Sequence, residues 1–185
     1  MTRRRTASRR GRWSLVWLGV IAALAVLLAV LATVPLIRGE QVPATGRLVG
    51  RPAPAIDASD LDGRRWTLGE AGGRLVWINF WATWCPPCRT EMPAMQALAE
   101  RHPEDLLILG VNWGEERSAV ADFVDRYAIG YPILLDPKLE NYYRWAPDDG
   151  LPRHYFVGPD GTVLREVIGP LEPDAMTQVL DDLLP

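Results

Sequence analysis

Polar and apolar positions follow three different rhythms along this chain. From Trp13 to Ile37, 25 consecutive residues carry no charge. As a helix this segment is roughly 37 Å long at 1.5 Å per residue, enough to cross a hydrocarbon core of about 30 Å with some tilt. The second rhythm is the nearly continuous apolar run Leu75-Val76-Trp77-Ile78-Asn79-Phe80-Trp81, which predicts a central strand buried on both faces. The third is helical spacing from Pro86 to about Arg101, with Met92, Met95, Leu98 and Ala99 on one face and a kink expected at Pro93.

Around these segments, Asp62-Gly63 marks the turn of a hairpin over roughly 55–68. Leu106–Asn112 and Pro132–Leu135 read as strands, Ser118–Tyr127 as a helix and Glu140–Trp145 as a short helix. Arg153–Val157 and Thr162–Ile168 flank the turn Pro159-Asp160-Gly161, and Glu172–Leu184 closes the chain as an amphipathic helix. Strands alternating with helices and ending in a hairpin indicate an α/β fold, helices flanking a central mixed sheet, with an N-terminal β-hairpin extension.

Charge distribution divides the chain further. Arg3, Arg4, Arg5, Arg9, Arg10 and Arg12 crowd the start, and no acidic residue precedes Glu40. With only Arg38 on the far side of the apolar run, this bias predicts a cytoplasmic N-terminus and export of everything beyond residue 38. A cleaved secretory signal is the competing reading, but its apolar stretch is usually shorter, and Val42-Pro43-Ala44 is the only passable cleavage site. Either reading exports the domain. The expected organisation is a tail at 1–12, one transmembrane helix at 13–37, a Gly- and Pro-bearing linker at 38–50, and a single domain at 51–185. From Glu40 onward, 23 acidic residues face 13 basic ones, which argues against nucleic acid as a partner.

The chain has two cysteines, Cys85 and Cys88, three residues apart at the predicted strand-to-helix junction. If Cys85 caps the helix, Pro86 takes its first position, where a missing N–H matters little. The Cys85 sulfur then faces the positive end of the helix dipole, which favours thiolate. Cys88, one turn on, is placed to attack a mixed disulfide. A structural zinc site wants four ligands, and the histidines are only His102 and His154. Covalent haem wants His directly after the second cysteine, where this chain has Arg89. A four-residue disulfide loop would constrain the unfolded chain only slightly. Redox chemistry is the reading that remains, with the disulfide itself as the redox group and no metal or other cofactor.

The segment from Val76 through Trp84-Cys85-Pro86-Pro87-Cys88 resembles the thioredoxin superfamily, specifically its TlpA/ResA-like branch among the redoxin/AhpC-TSA-like proteins. Coverage runs from about Arg51 to Pro185 and includes Pro93 and Val111-Asn112-Trp113-Gly114-Glu115. The resemblance implies a membrane-anchored extracytoplasmic thiol–disulfide oxidoreductase, with Cys85 as nucleophile and Cys88 as resolving thiol. It also implies that Gly150-Leu151-Pro152 is the loop whose proline is cis, with Pro152 holding the Leu151 backbone open for substrate. Trp84 and Pro86, beside the nucleophile, join these two as expected substrate-binding residues, whereas Trp81 is expected in the core. Glu91 occupies the position of the branch's glutamate near the cysteine pair and would shuttle protons; read alone, it is a solvated glutamate paired with an arginine. Thioredoxin's buried Asp is here Asn79, which exchanges no proton at ordinary pH. Arg153 and His154 stand where many relatives carry Thr, and the plain reading of His154 is an ordinary strand position.

Pro86 and Pro87 have no N–H, so the nearest amide within the motif able to stabilise a Cys85 thiolate is that of Cys88. Fewer donors imply a weaker pull on the thiol and a reducing couple. The implied partners are protein disulfides, apocytochrome c among them, and a transmembrane electron donor, with the protein a monomer in the bacterial cytoplasmic membrane. A thiol peroxidase is a rival, but its Pro-x-x-x-Thr-x-x-Cys pattern would need Pro at 78 and Thr at 82, where Ile78 and Ala82 stand. A non-catalytic redox-sensing module is the other rival.

Overall fold

In the computed structural model, residues 10–33, 46–148 and 150–184 are described. The elements in chain order are α1 (Arg10–Thr33), β1 (Asp57–Asp60), β2 (Arg65–Thr67), β3 (Leu75–Trp81), α2 (Pro86–Arg101), β4 (Leu106–Asn112), α3 (Arg117–Tyr127), β5 (Ile133–Leu135), α4 (Glu140–Trp145), β6 (Arg153–Val157), β7 (Val163–Ile168) and α5 (Pro173–Leu183). A 3₁₀ turn at Leu68–Ala71, which the apolar pattern does not announce, follows β2.

The chain divides into two units, residues 1–40 and 41–185. In the first, α1 is a continuous helix whose described side chains, residues 17–28, are all exposed. Among the described residues, no helix is long and apolar enough to cross a membrane. The expected tail and linker fall largely outside them, since 1–9 and 34–45 are not described, whereas α1 takes in residues 13–33 of the expected span.

The second unit is built on a seven-stranded mixed sheet of order β2-β1-β5-β4-β3-β6-β7. β3 pairs parallel with β4 and antiparallel with β6, and all seven of its residues are buried. That is the outcome expected of an apolar run without alternation, because both faces are covered. Toward one face, Trp77 and Trp81 pack with Met92 and Met95 of α2, Val120 of α3 and Met176 of α5. Toward the other, Ile78 and Phe80 pack with Tyr142 and Trp145 of α4, Tyr155 of β6 and Trp66 of the hairpin.

Local chemistry explains the remaining boundaries. The hairpin turn closes on Asp60, whose Oδ1 accepts the amides of Asp62 and Arg64 at 2.9 Å, while Gly63 takes φ 84°, a left-handed conformation that glycine adopts without steric penalty. α2 runs through Pro93 to Arg101, so that proline is absorbed within the helix and does not end it. β5 begins after Pro132, whose carbonyl accepts the Gly110 amide at 3.0 Å although its nitrogen can donate nothing.

Phe80 meets Tyr142 and Tyr155 edge to face, with centroids 5.4 and 6.0 Å away. Phe80→Ala is therefore expected to destabilise the domain by about 3–5 kcal/mol, read from the midpoint of urea denaturation.

Candidate active site

The buried strand β3 ends at Trp81, and Ala82-Thr83-Trp84 carries the chain to α2. This connection is clamped from the end of β4. The Trp113 amide donates to the Trp81 carbonyl at 2.9 Å. The Glu115 carboxylate accepts the Thr83 amide at 2.7 Å, the Thr83 hydroxyl, and Asn112 Nδ2 at 2.8 Å. Trp84, 56% exposed, stands with its ring edge to that of Trp113, centroids 5.4 Å apart.

Cys85 is the N-cap of α2, and Pro86 and Pro87 fill the first helical positions. An N-cap side chain ordinarily accepts from the second or third residue of the helix. With two prolines only the third has an amide to offer, and Cys88 N donates to Cys85 Sγ at 3.3 Å. Cys85 and Cys88 are joined as a disulfide. It lies at the floor of a groove of about 340 Å³ lined by Trp84, Pro86, Pro87, Trp113, Gly150 and Leu151. Cys85 is 3% exposed and Cys88 fully covered, so Cys85 is the sulfur nearer solvent.

The groove's far wall is the loop before β6. The Leu151–Pro152 peptide is cis, as the sequence resemblance implies. Tyr142 braces this loop: its hydroxyl accepts the Gly150 amide at 2.9 Å and reaches the Gly150 and Asp148 carbonyls at 2.9 and 3.0 Å. Buried Arg153 adds a bond to the Gly150 carbonyl and an ion pair with Asp148 at 2.8 Å. Burial opposes the Arg153 charge, but Asp148 and the Tyr155 hydroxyl outweigh it and hold the guanidinium above its ordinary value. Arg153 is thus an internal brace of the loop.

One turn along α2 from Cys88 lies a cluster that the residue pattern alone did not reveal. Glu91, one turn beyond Cys88, is 4% exposed, which overturns its reading as a solvated surface glutamate paired with an arginine. Its Oε1 accepts Asn79 Nδ2 at 3.3 Å, and its Oε2 accepts the Leu171 amide at 3.3 Å. His154 Nε2 lies 3.5 Å from the same Oε2. Burial, and after it the Glu91 carboxylate, push the Tyr131 hydroxyl above its ordinary range. Asn79 and His154 are direct cross-strand partners in β3 and β6, so the sheet register brings them together. His154 thus lies in β6, the strand position expected of it, facing Asn79. Trp81 is fully buried, as expected of a core residue. Among the described residues no group of three or more His, Cys, Asp or Glu could hold a metal ion.

The chain is similar to known proteins over this domain. Residues 49–165 match the AhpC/TSA family model. The thiol-disulfide oxidoreductase ResA of Geobacillus thermodenitrificans strain NG80-2 is 34% identical over 144 residues, which cover 76% of this chain and 81% of that one. The thioredoxin-like protein YneN of Bacillus subtilis strain 168 is 36% identical over 136 residues, covering 71% of this chain and 78% of that one. Among solved structures, a thiol:disulfide interchange protein of the thioredoxin family from Chlorobium tepidum TLS superposes with a TM-score of 0.64 at 25% identity, covering 76% of this chain and 99% of that one.

Glu115→Ala is expected to strand three buried or half-buried donors and to lower stability by about 1–3 kcal/mol. Urea denaturation measures this loss, and hydrogen exchange should show the Thr83 amide unprotected.

Proposed function

The chain belongs to the AhpC/TSA family as a ResA-like thiol-disulfide oxidoreductase of the thioredoxin superfamily, and from that premise we propose that it works as an extracytoplasmic reductase of protein disulfides. The observation that carries this direction is the single amide, Cys88 N, at the Cys85 sulfur, because Pro86 and Pro87 remove the others. A thiolate with one backbone donor is less stabilised than one with several, and strong oxidants owe their potential to a stabilised reduced form.

In the proposed cycle the Cys85 thiolate attacks a client disulfide, and one client sulfur leaves as thiolate. Cys88 then gives its proton to Glu91 and attacks Cys85 Sγ, forming the Cys85–Cys88 disulfide and releasing the second client sulfur. Two electrons pass to the client, whose thiolates take up protons, one of them by way of Glu91. Cys88 is shut off from water, so an internal base is needed, and Glu91 is the carboxylate buried one turn away. Trp84 and Pro86 offer the client an apolar surface, and Leu151 presents backbone beside cis Pro152.

An exported dithiol must be recharged, so the natural donor is a membrane protein that carries electrons across the bilayer. The Arg-rich start and the uncharged run at 13–37 support a bacterial single-pass anchor with a cytoplasmic N-terminus. The ResA-like resemblance makes the disulfide of an oxidised apocytochrome c a fitting client. The chemistry calls for no cofactor beyond the disulfide.

The Cys85–Cys88 couple is expected to have a midpoint potential below about −150 mV, measured by equilibration with glutathione or dithiothreitol buffers; a higher value would overturn the reductase reading. Glu91→Gln is expected to slow client reduction at neutral pH by roughly 10²-fold. Its pH–rate profile should flatten, and an unchanged profile would remove Glu91 from the mechanism.

A further inference from the structure

We propose that His154 is the positioning residue of the proton-transfer site, its ring held as the neutral tautomer with hydrogen on Nε2 and that hydrogen aimed at the Glu91 carboxylate. The proposal rests on the reading of Glu91 as the base for Cys88, and its own basis is the hydrogen-bond chemistry around the imidazole.

Two groups converge on His154 Nδ1. Trp77 Nε1 donates to it at 3.2 Å, and Asn79 Nδ2 stands 3.2 Å away. An indole nitrogen is only ever a donor, as is an amide nitrogen. The orientation of the Asn79 amide follows from its second contact, since Nδ2 also lies 3.3 Å from Glu91 Oε1; the flipped amide would set oxygen against oxygen. Nδ1 therefore receives hydrogens and carries none. The proton of the neutral ring belongs on Nε2, which faces Glu91 Oε2 at 3.5 Å. That separation is long for a hydrogen bond, and Nε2 has no closer partner among the described residues. A buried donor without a partner is unfavourable, and contacts of this kind in unliganded active sites tighten as the reaction proceeds.

A hydrogen on Nδ1 would meet those of Trp77 and Asn79, so these contacts accept only the tautomer with hydrogen on Nε2. The proton acceptor for Cys88 in this reading is Glu91. The groups facing its carboxylate are Asn79 from β3, His154 from β6, the Leu171 amide from the segment before α5, and Tyr131 from the segment before β5. Among the described residues no Lys or Arg nitrogen lies within ion-pair distance of it. Asn79 Nδ2 and the Leu171 amide are hydrogen-bonded to it, and His154 Nε2 presents a further N–H toward it at 3.5 Å.

The test separates the two exchange steps by adding dithionitrobenzoate to the reduced full-length protein and following thionitrobenzoate release in a stopped-flow instrument. The first phase is attack by Cys85, and the second is resolution by Cys88. His154→Phe should leave the first phase unchanged and slow the second roughly tenfold at neutral pH. His154→Gln, which returns an N–H toward Glu91, should recover most of the rate. In the Glu91→Gln background His154→Phe should have no further effect, and equal slowing in both backgrounds would overturn the proposal. If Glu91→Gln alone leaves the second phase unchanged, the reading of Glu91 falls instead. Long-range nitrogen-15 spectra of the unmutated protein provide a check that needs no variant to fold. They should show His154 neutral with its proton on Nε2, and a proton on Nδ1 would sink the idea.

Discussion

Everything in the site depends on β3 being hydrogen-bonded along both edges and covered on both faces. A strand so placed has no freedom to shift, because a slip of one residue would exchange Trp77, Asn79 and Trp81 with Val76, Ile78 and Phe80 across the sheet. Its end therefore delivers Cys85 to a fixed point. Its pairing with β6 delivers His154 to Asn79 and sets the cis Leu151–Pro152 peptide just ahead of the pairing of Phe80 with Arg153. The parallel pairing with β4 places Asn112 opposite Trp81, from where Glu115 ties down the Thr83 turn.

The two prolines act on this scaffold from within the motif. They suit the start of a helix, where amides have no intrahelical partner in any case, so α2 loses little by them. The sulfur at the cap loses more, since it keeps one donor where an ordinary sequence could offer two. A feature almost neutral for folding thus removes a donor from the cap sulfur.

Glu91 is buried with no Lys or Arg nitrogen within ion-pair distance among the described residues. Its contacts come from a strand side chain, a backbone amide and an imidazole, drawn from β3, from the segment before α5 and from β6. The guanidinium next in sequence, Arg153, is instead committed to Asp148 and the loop carbonyls. Neighbouring residues on β6 point to opposite faces, which keeps this charge away from Glu91.

The sequence by itself determined the elements and the redox pair. Unbroken apolar runs specify doubly covered strands, helical spacing specifies α2, and Pro-Pro between two cysteines states its donor count without any coordinates. These are local properties, written in residues adjacent along the chain. What only the tertiary structure decided is the environment of Glu91, because a glutamate three residues after a cysteine reads the same whether its helix face meets water or the sheet. His154 and Arg153 were opaque for the same reason. Their roles follow from antiparallel register and from contacts with Asn79, Trp77, Asp148 and Tyr142, which lie up to 77 residues away along the chain. Burial and cross-strand pairing are set by the whole fold at once, and they alone turn an inconspicuous histidine into the neighbour of a buried carboxylate.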